Sequence, residues 1–283
     1  IDSEKTSFLA RQKFAEVLFN ESEYGHVAHH EDFDKLEYQM AKSFIYENIV
    51  NAPFKLLVSG NISNSSKTLF QQFLESLQVA SKVAKKQAKK SNPIKKLHTV
   101  KKDSEQCSVM LGKLLPSKVQ GDDQKISRAN ALLGGYFGSR LMQNIREDKG
   151  WTYGIHSSII HYEDASSLVI STDVLKDKGD QTIREIKAEI EKLQRELILE
   201  KELDVLRNYL KGNLLKGFDG PFEQIDRFFS VDSFGLDWSY FDCYIQKLDT
   251  ITPEEIKDIS LKYFKWEDFV LVKVGGETHQ KNN

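Results

Sequence analysis

Three glycines, Gly134, Gly135 and Gly138, fall within five residues of one another in LLGGYFGSRLMQNIREDKGWTYG, which runs from Leu132 to Gly154. Backbone N–H groups in a glycine-rich turn can cradle phosphate oxygens, so nucleotide binding is the first chemistry to test. It fails on spacing. No glycine stands five residues before a Gly-Lys-Ser/Thr triplet, as a P-loop requires. A dinucleotide fingerprint needs G-x-G-x-x-G after a strand; only the Gly135–Gly138 interval matches, and the preceding SRANALL is helical in pattern. The cluster therefore reads as a turn between helices. Gly134 and Gly135 fit a helix end that needs positive φ or close backbone approach, and Ser139 suits the N-cap of the next helix.

The other chemistry-bearing residues are histidines. HVAHHE places His26, His29 and His30 at i, i+3 and i+4, which on a helix would share one face. The pattern is one residue short of His-x-x-Glu-His, because His29 occupies the slot of the glutamate that would activate a zinc-bound water. Solvent-exposed loop histidines are expected, with incidental metal binding as the alternative. His98, His156, His161 and His279 have no ligand-like spacing and read as structural or exposed. No serine sits in a G-x-S-x-G elbow, and Cys107 and Cys243, each in an apolar setting, read as buried free thiols, with a disulfide as the alternative. The carboxylates of EIKAEIEKLQRE fall on an ordinary solvated helix face.

Several elements must position these residues. Apolar spacing predicts helices over 5–19, 36–49, 181–197 and 201–215, with further helices through Leu77, over 127–133 and 139–147, and from Thr252 to Phe264. Pro221 stands at a first-turn position of another. Strands are predicted over Phe54–Gly60, Cys107–Leu115, Tyr153–His161, Leu168–Val174 and from Phe269. Lys82 to Lys96 carries seven lysines and no acid, which reads as a solvated linker between two packed bodies rather than a polyanion site. Sliding the chain by 215 residues superposes Leu36 on Ile251, Phe44 on Ile259, Ile49 on Phe264, Phe54 on Phe269 and Gly60 on Gly275. A helix followed by a strand ending in glycine thus recurs in phase, which points to an internal duplication whose first copy lacks its opening portion.

The totals narrow the classes. The formal charge of −2 on 283 residues offers no overall field for nucleic acid or an anionic membrane. No apolar run approaches the roughly 18 residues of a membrane span. The opening IDSEKTSFLARQKF has no Met, apolar signal region or basic leader, and reads as a mature product or a fragment.

The stretch from Leu132 to Gly154 resembles the signature of the second domain in the insulinase, pitrilysin and mitochondrial processing peptidase family. ELDVLRNYLKGNLLKGFDGPFEQIDRFFS is similar to that domain's following helices, and ITPEEIKDISLKYF with the strand to VGG to its close. The first 75 residues resemble the latter half of the first domain, with Ser22-Glu23 in FNESEYG departing from a His-Pro pair. The resemblance implies an α+β protein of two homologous α/β sandwich domains, each a sheet backed by helices, the first truncated. Residues 1–80 would belong to the first domain, 81–96 to the linker, 97–276 to a complete second domain and 277–283 to a tail.

By the same resemblance the zinc motif belongs to sequence before Ile1. This chain is then expected to bind no metal itself, with zinc in the missing domain or a partner subunit. Family peptidases carry an Arg and a Tyr seven residues apart that reach the substrate, which implies substrate-binding roles for Arg146 and Tyr153. The implied partners are a peptide substrate and a zinc-bearing family member in a homo- or hetero-dimer. The opening SEKTSFLARQKFAEVLF is similar to the short bacterial zinc-less members, leaving the compartment open between bacterial cytoplasm and periplasm. A non-catalytic scaffold or assembly subunit is the rival reading.

Overall fold

A computed structural model of the chain describes residues 5–20, 22–76, 93–99, 101 and 104–276. Its strands are β1 (Lys96–Thr99), β2 (Gln106–Leu115), β3 (Thr152–His161), β4 (Ser166–Leu175) and β5 (Val270–Val274). They form one sheet in the order β1-β5-β2-β4-β3, parallel only between β1 and β5. In chain order the helices are α1 (Thr6–Leu18), α2 (His30–Asp34), α3 (Tyr38–Ile45), α4 (Asn64–Ser76), α5 (Asp123–Asn130), α6 (Gly179–Arg195), α7 (Glu200–Lys216), α8 (Pro221–Asp232), α9 (Ser239–Leu248) and α10 (Pro253–Tyr263).

The interior strand β5, between β1 and β2, alternates two environments. Val270, Val272 and Val274 pack with Ala10, Phe14, Val17 and Leu18 of α1. Lys273 points to the other face, where its ammonium pairs with Asp180 of α6 at 2.7 Å. There α6 packs on β2 and β4, and α10 packs on α5 and α6. The sheet is thus backed by several helices on one face and covered by α1 on the other. Gly112 of β2 makes that cover possible, since a Cβ there would lie 2.5 Å from the Phe14 ring.

The chain divides into two compact units that cut across its order. One takes the described residues up to Val27, those between Lys89 and Gly212, and those from Trp238 onward; the other takes Ala28–Ala88 and Asn213–Asp237. Helix α1, expected with the first domain, therefore packs on the second half's sheet, while α8 of the second half lies in the unit built from the first. The same 215-residue shift carries Thr6 onto Pro221, the first residues of α1 and α8. Gly60 and Gly275, also related by the shift, both adopt positive φ, 125° and 84°.

Three expectations need correction or extension. Phe54–Gly60 forms no strand, and Phe54, Leu56 and Val58 are exposed. A strand requires ladder partners, and the described residues of that unit supply none, whereas the repeat-related β5 sits between β1 and β2. The lysine-rich stretch ends in the sheet: Lys96 opens β1 and pairs with Leu271. Lys82, Lys85, Lys86, Lys89 and Lys90 lie outside the described residues. Gly134, Gly135 and Gly138 do not have positive φ; in this region that role falls to Gly150, at 65°.

Candidate functional site

The glycine cluster serves close approach. Helix α5 runs on into a wider π-helical turn, Ala131–Gly135, beside β3. A Cβ on Gly134 would lie 2.6 Å from the Ser157 Cβ, so glycine lets the turn meet the strand. Asn130 clamps the same contact by donating to the Ser157 carbonyl at 3.2 Å. Beyond it Tyr136 stacks on Tyr209 with centroids 4.4 Å apart, and a Cβ on Gly138 would come within 2.8 Å of the Tyr136 ring. Gly135 meets nothing closer than 3.3 Å.

Arg146 is carried by a second π-helical turn, Met142–Asp148. Such turns widen the helix by one residue and recur at functional sites. This one is anchored by Asn144, whose buried amide donates to Glu189 at 2.7 Å and Glu185 at 3.2 Å of α6, while Lys149 donates back to its Oδ1. The Arg146 side chain is partly exposed, pairs with Glu147, and stands 4.8 Å over the exposed Phe137 ring of the glycine turn. Trp151 N–H donates to the Ile145 carbonyl at 3.1 Å, folding the chain back at Gly150 into β3. Arg146 and Tyr153 therefore bracket one tight turn.

Tyr153 is 95% exposed although it lies on a strand of the core sheet. The cause is a β-bulge: Thr152 pairs with Val174, but the next regular pair is Ile155 with Thr172. A bulge re-aims a side chain away from the alternation of the pleat. Two threonines hold it. Thr152 Oγ1 accepts the Gly154 N–H at 3.1 Å and the Thr172 hydroxyl at 2.9 Å, and lies 2.7 Å from the Asp173 carbonyl that can take its proton.

The HVAHH histidines do not share a helix face: residues 26–29 are non-helical and only His30 enters α2. His29 instead receives the helix start, its N–H donating to Asp32 at 2.9 Å. Among the described residues no group of three His, Cys, Asp or Glu is placed to hold a metal ion. His161 is packed with Ser166, 2.9 Å from its Nδ1, and with Asp123; burial lowers its pKa despite that carboxylate. Both cysteines are free, but only Cys107 is buried as expected, its thiol pushed up to about 11 by burial, whereas Cys243 is partly exposed. No helix among the described residues is long and apolar enough to cross a membrane.

The sequence profile of the peptidase M16 inactive domain matches residues 35–210. The chain belongs to the peptidase M16 family. Among its curated relatives, an uncharacterized zinc protease of Bacillus subtilis is 27% identical over 219 residues, covering 77% of this chain and 52% of the relative. One from Mycobacterium bovis is 25% identical over 166 residues, covering 58% and 38%. This M16 chain thus spans about half the length of the first of these relatives and less of the second. A crystal structure of a peptidase M16 inactive domain from Pseudomonas fluorescens superposes with a TM-score of 0.84 at 20% identity, covering 99% of this chain and 67% of that one. A Helicobacter pylori protease superposes at 0.80 with 17% identity, covering 95% and 66%. These likenesses establish the M16 fold, one sheet backed by helices.

Sequence reading missed Phe137 as the neighbour of Arg146, Asn144 as its anchor, and the Thr152–Thr172 pair behind Tyr153. Only Phe137 left a signal, as an aromatic in the short stretch between Gly135 and Gly138.

Proposed function

We propose that this M16 chain is the zinc-lacking, substrate-gripping part of a zinc-dependent peptidase, with Arg146 and Tyr153 holding the peptide. The observation that carries the reading is the bulge that presents Tyr153 almost fully to solvent beside the turn that carries Arg146. A guanidinium can hold a peptide carbonyl or carboxylate with two directed N–H donors. A phenol can donate to a carbonyl oxygen as it gains negative charge. In open water such a donor contributes little, so the residues become effective only when another protein body encloses them. Zinc, when bound elsewhere in the assembly, supplies the activation of water that this chain's described residues are not arranged to provide.

The enclosing body is the zinc-bearing remainder of the first domain, in the same polypeptide or on a partner subunit. The unit built from Ala28–Ala88 and Asn213–Asp237 supports this reading. Tyr38, Met40 and Phe44 of α3, Ile49 in the π-helical turn Tyr46–Val50 that follows it, and Phe54, Leu56 and Val58 beyond are each 40% or more exposed. So much clustered apolar surface marks an interface. The test is complementation: a zinc-bearing M16 protein is assayed for peptide cleavage with and without this chain. The reading expects cleavage to rise on addition; stable association that leaves cleavage unchanged supports a scaffold instead.

A further inference from the structure

The face of the sheet that carries α1 changes character towards β3. Val169, Met110 and Leu114 pack in the apolar cluster beneath α1. Further along the same strands, positions 171 and 173 of β4 and 108 of β2 are Ser, Asp and Ser, and β3 adds His156. Polar groups at inward strand positions are costly unless partnered. Ser108 is partnered: it donates to Asp173 and lies 2.9 Å from the Thr6 hydroxyl of α1. These groups line a cavity of about 200 Å³ between α1 and the sheet, with Ser7 and Arg11 on one wall and Ser108, His156, Ser171 and Asp173 on the other.

Two features of this cleft stand out. Arg11 and His156 are exposed at its mouth and make no hydrogen bond or ion pair among the described residues. Asp173 lines the same cleft, yet no ion pair joins it to Arg11; the carboxylate is tethered to the buried Ser108. Gly154, the residue after Tyr153, also lines the cleft, and a Cβ there would stand 3.3 Å from His156 Nε2, so glycine leaves room for the imidazole.

We infer that the cleft is a subsite for a single carboxylate of a bound peptide, taken by the guanidinium of Arg11 with His156 and the Ser171 hydroxyl as further donors. The inference rests on the peptide-gripping reading and extends it, because the cleft opens beside the bulge that presents Tyr153. A planar carboxylate suits the two parallel N–H donors of an arginine. Asp173 works against an anion that enters deeply, so the subsite favours one negative charge at the mouth. The carboxylate can come from an acidic side chain or from the C-terminus of the peptide.

The test uses the 283-residue chain and three peptides: Ac-Ala-Ala-Glu-Ala-NH2, Ac-Ala-Ala-Ala-OH and Ac-Ala-Ala-Ala-NH2. Binding is followed by NMR shifts of the backbone amides of His156 and Ser171. At least one carboxylate peptide is expected to bind roughly tenfold more tightly than the uncharged one, and the tighter of the two identifies the source. Arg11→Gln is expected to abolish that difference, whereas Asp173→Asn is expected to tighten carboxylate binding several-fold. The opposed signs exclude a general loss of folding. Equal binding of all three peptides, binding by none, or indifference to both variants overturns the subsite. Peptide binding that depends on Tyr153 but not on Arg11 sinks the subsite and leaves the grip standing. The reverse dependence keeps the subsite, and the grip, which acts only when enclosed, is then judged by cleavage in the complemented enzyme.

Discussion

Replacing Thr152 by Val should release the bulge that aims Tyr153. The side chains are nearly the same shape, so the substitution removes a hydroxyl and little else. That hydroxyl accepts the Gly154 N–H at 3.1 Å and the Thr172 hydroxyl at 2.9 Å, and can donate to the Asp173 carbonyl at 2.7 Å. Thr172 has a fallback, since the Gly154 carbonyl is also 2.9 Å away. The half-buried Gly154 N–H has none in the bulged conformation. One lost net hydrogen bond and one stranded donor amount to about 2 kcal/mol, roughly a thirtyfold change in the folding equilibrium. Urea unfolding measures the loss, and NMR of the Tyr153 and Gly154 amides reports whether the bulge has moved. Thr172→Val, which leaves the Thr152 hydroxyl in place, should cost about half as much, about 1 kcal/mol. If Thr152→Val is within about 0.5 kcal/mol of the parent and those amides keep their positions, the hydroxyl does not hold the bulge and the account of Tyr153 exposure is wrong.

Other outcomes follow from the same packing. Gly134→Ala should destabilise the fold by about 1–3 kcal/mol in thermal unfolding, because its Cβ would press on Ser157. Gly135→Ala, with nothing nearer than 3.3 Å, should cost clearly less. A thiol reagent at neutral pH should modify the half-exposed Cys243 first and reach Cys107 only on unfolding, since that thiol is buried and its pKa raised to about 11. Asp268 and Asp122 are held below the usual carboxylate value of 3.8, the first by a hydrogen bond from Lys113, the second by Lys262 and Tyr263. Unfolded carboxylates therefore take up protons before these do, and their stabilisation, present above that value, drains away as the pH falls through and below it. Asp268→Asn should flatten the acid limb of a stability–pH curve.

The sheet and its helical backing were legible because their patterns are local. β2, β4, α6 and α7 each carry a periodicity that survives in isolation, and the Thr252-Pro253 start of α10 is a cap readable from two residues. What escaped depends on partners distant in sequence. β1 is KLHT at the end of a lysine run, and only its parallel pairing with β5 makes it a strand. The Phe54–Gly60 run looks like β5, but apolar alternation cannot form a ladder alone. That α1 would cross to the second half's sheet was hidden too, since the pocket that takes Phe14 is opened by Gly112, some hundred residues on. Around the candidate site, the glycines signalled a turn, and of the two roles open to them, positive φ or close approach, the fold uses close approach at Gly134. The bulge exists because two threonines on neighbouring strands meet, which no single stretch reveals.

The central claim is that Tyr153 and Arg146 act on a peptide being cut rather than on the fold. Steady-state cleavage by the complemented enzyme, with Tyr153→Phe in this chain, addresses it most directly. Tyr153 is almost wholly exposed, so stability should be unchanged. A donor that acts only as charge develops predicts kcat reduced by about tenfold or more with KM nearly constant. Arg146→Ala should raise KM as well. Full turnover by Tyr153→Phe in a complex that still assembles would contradict the account.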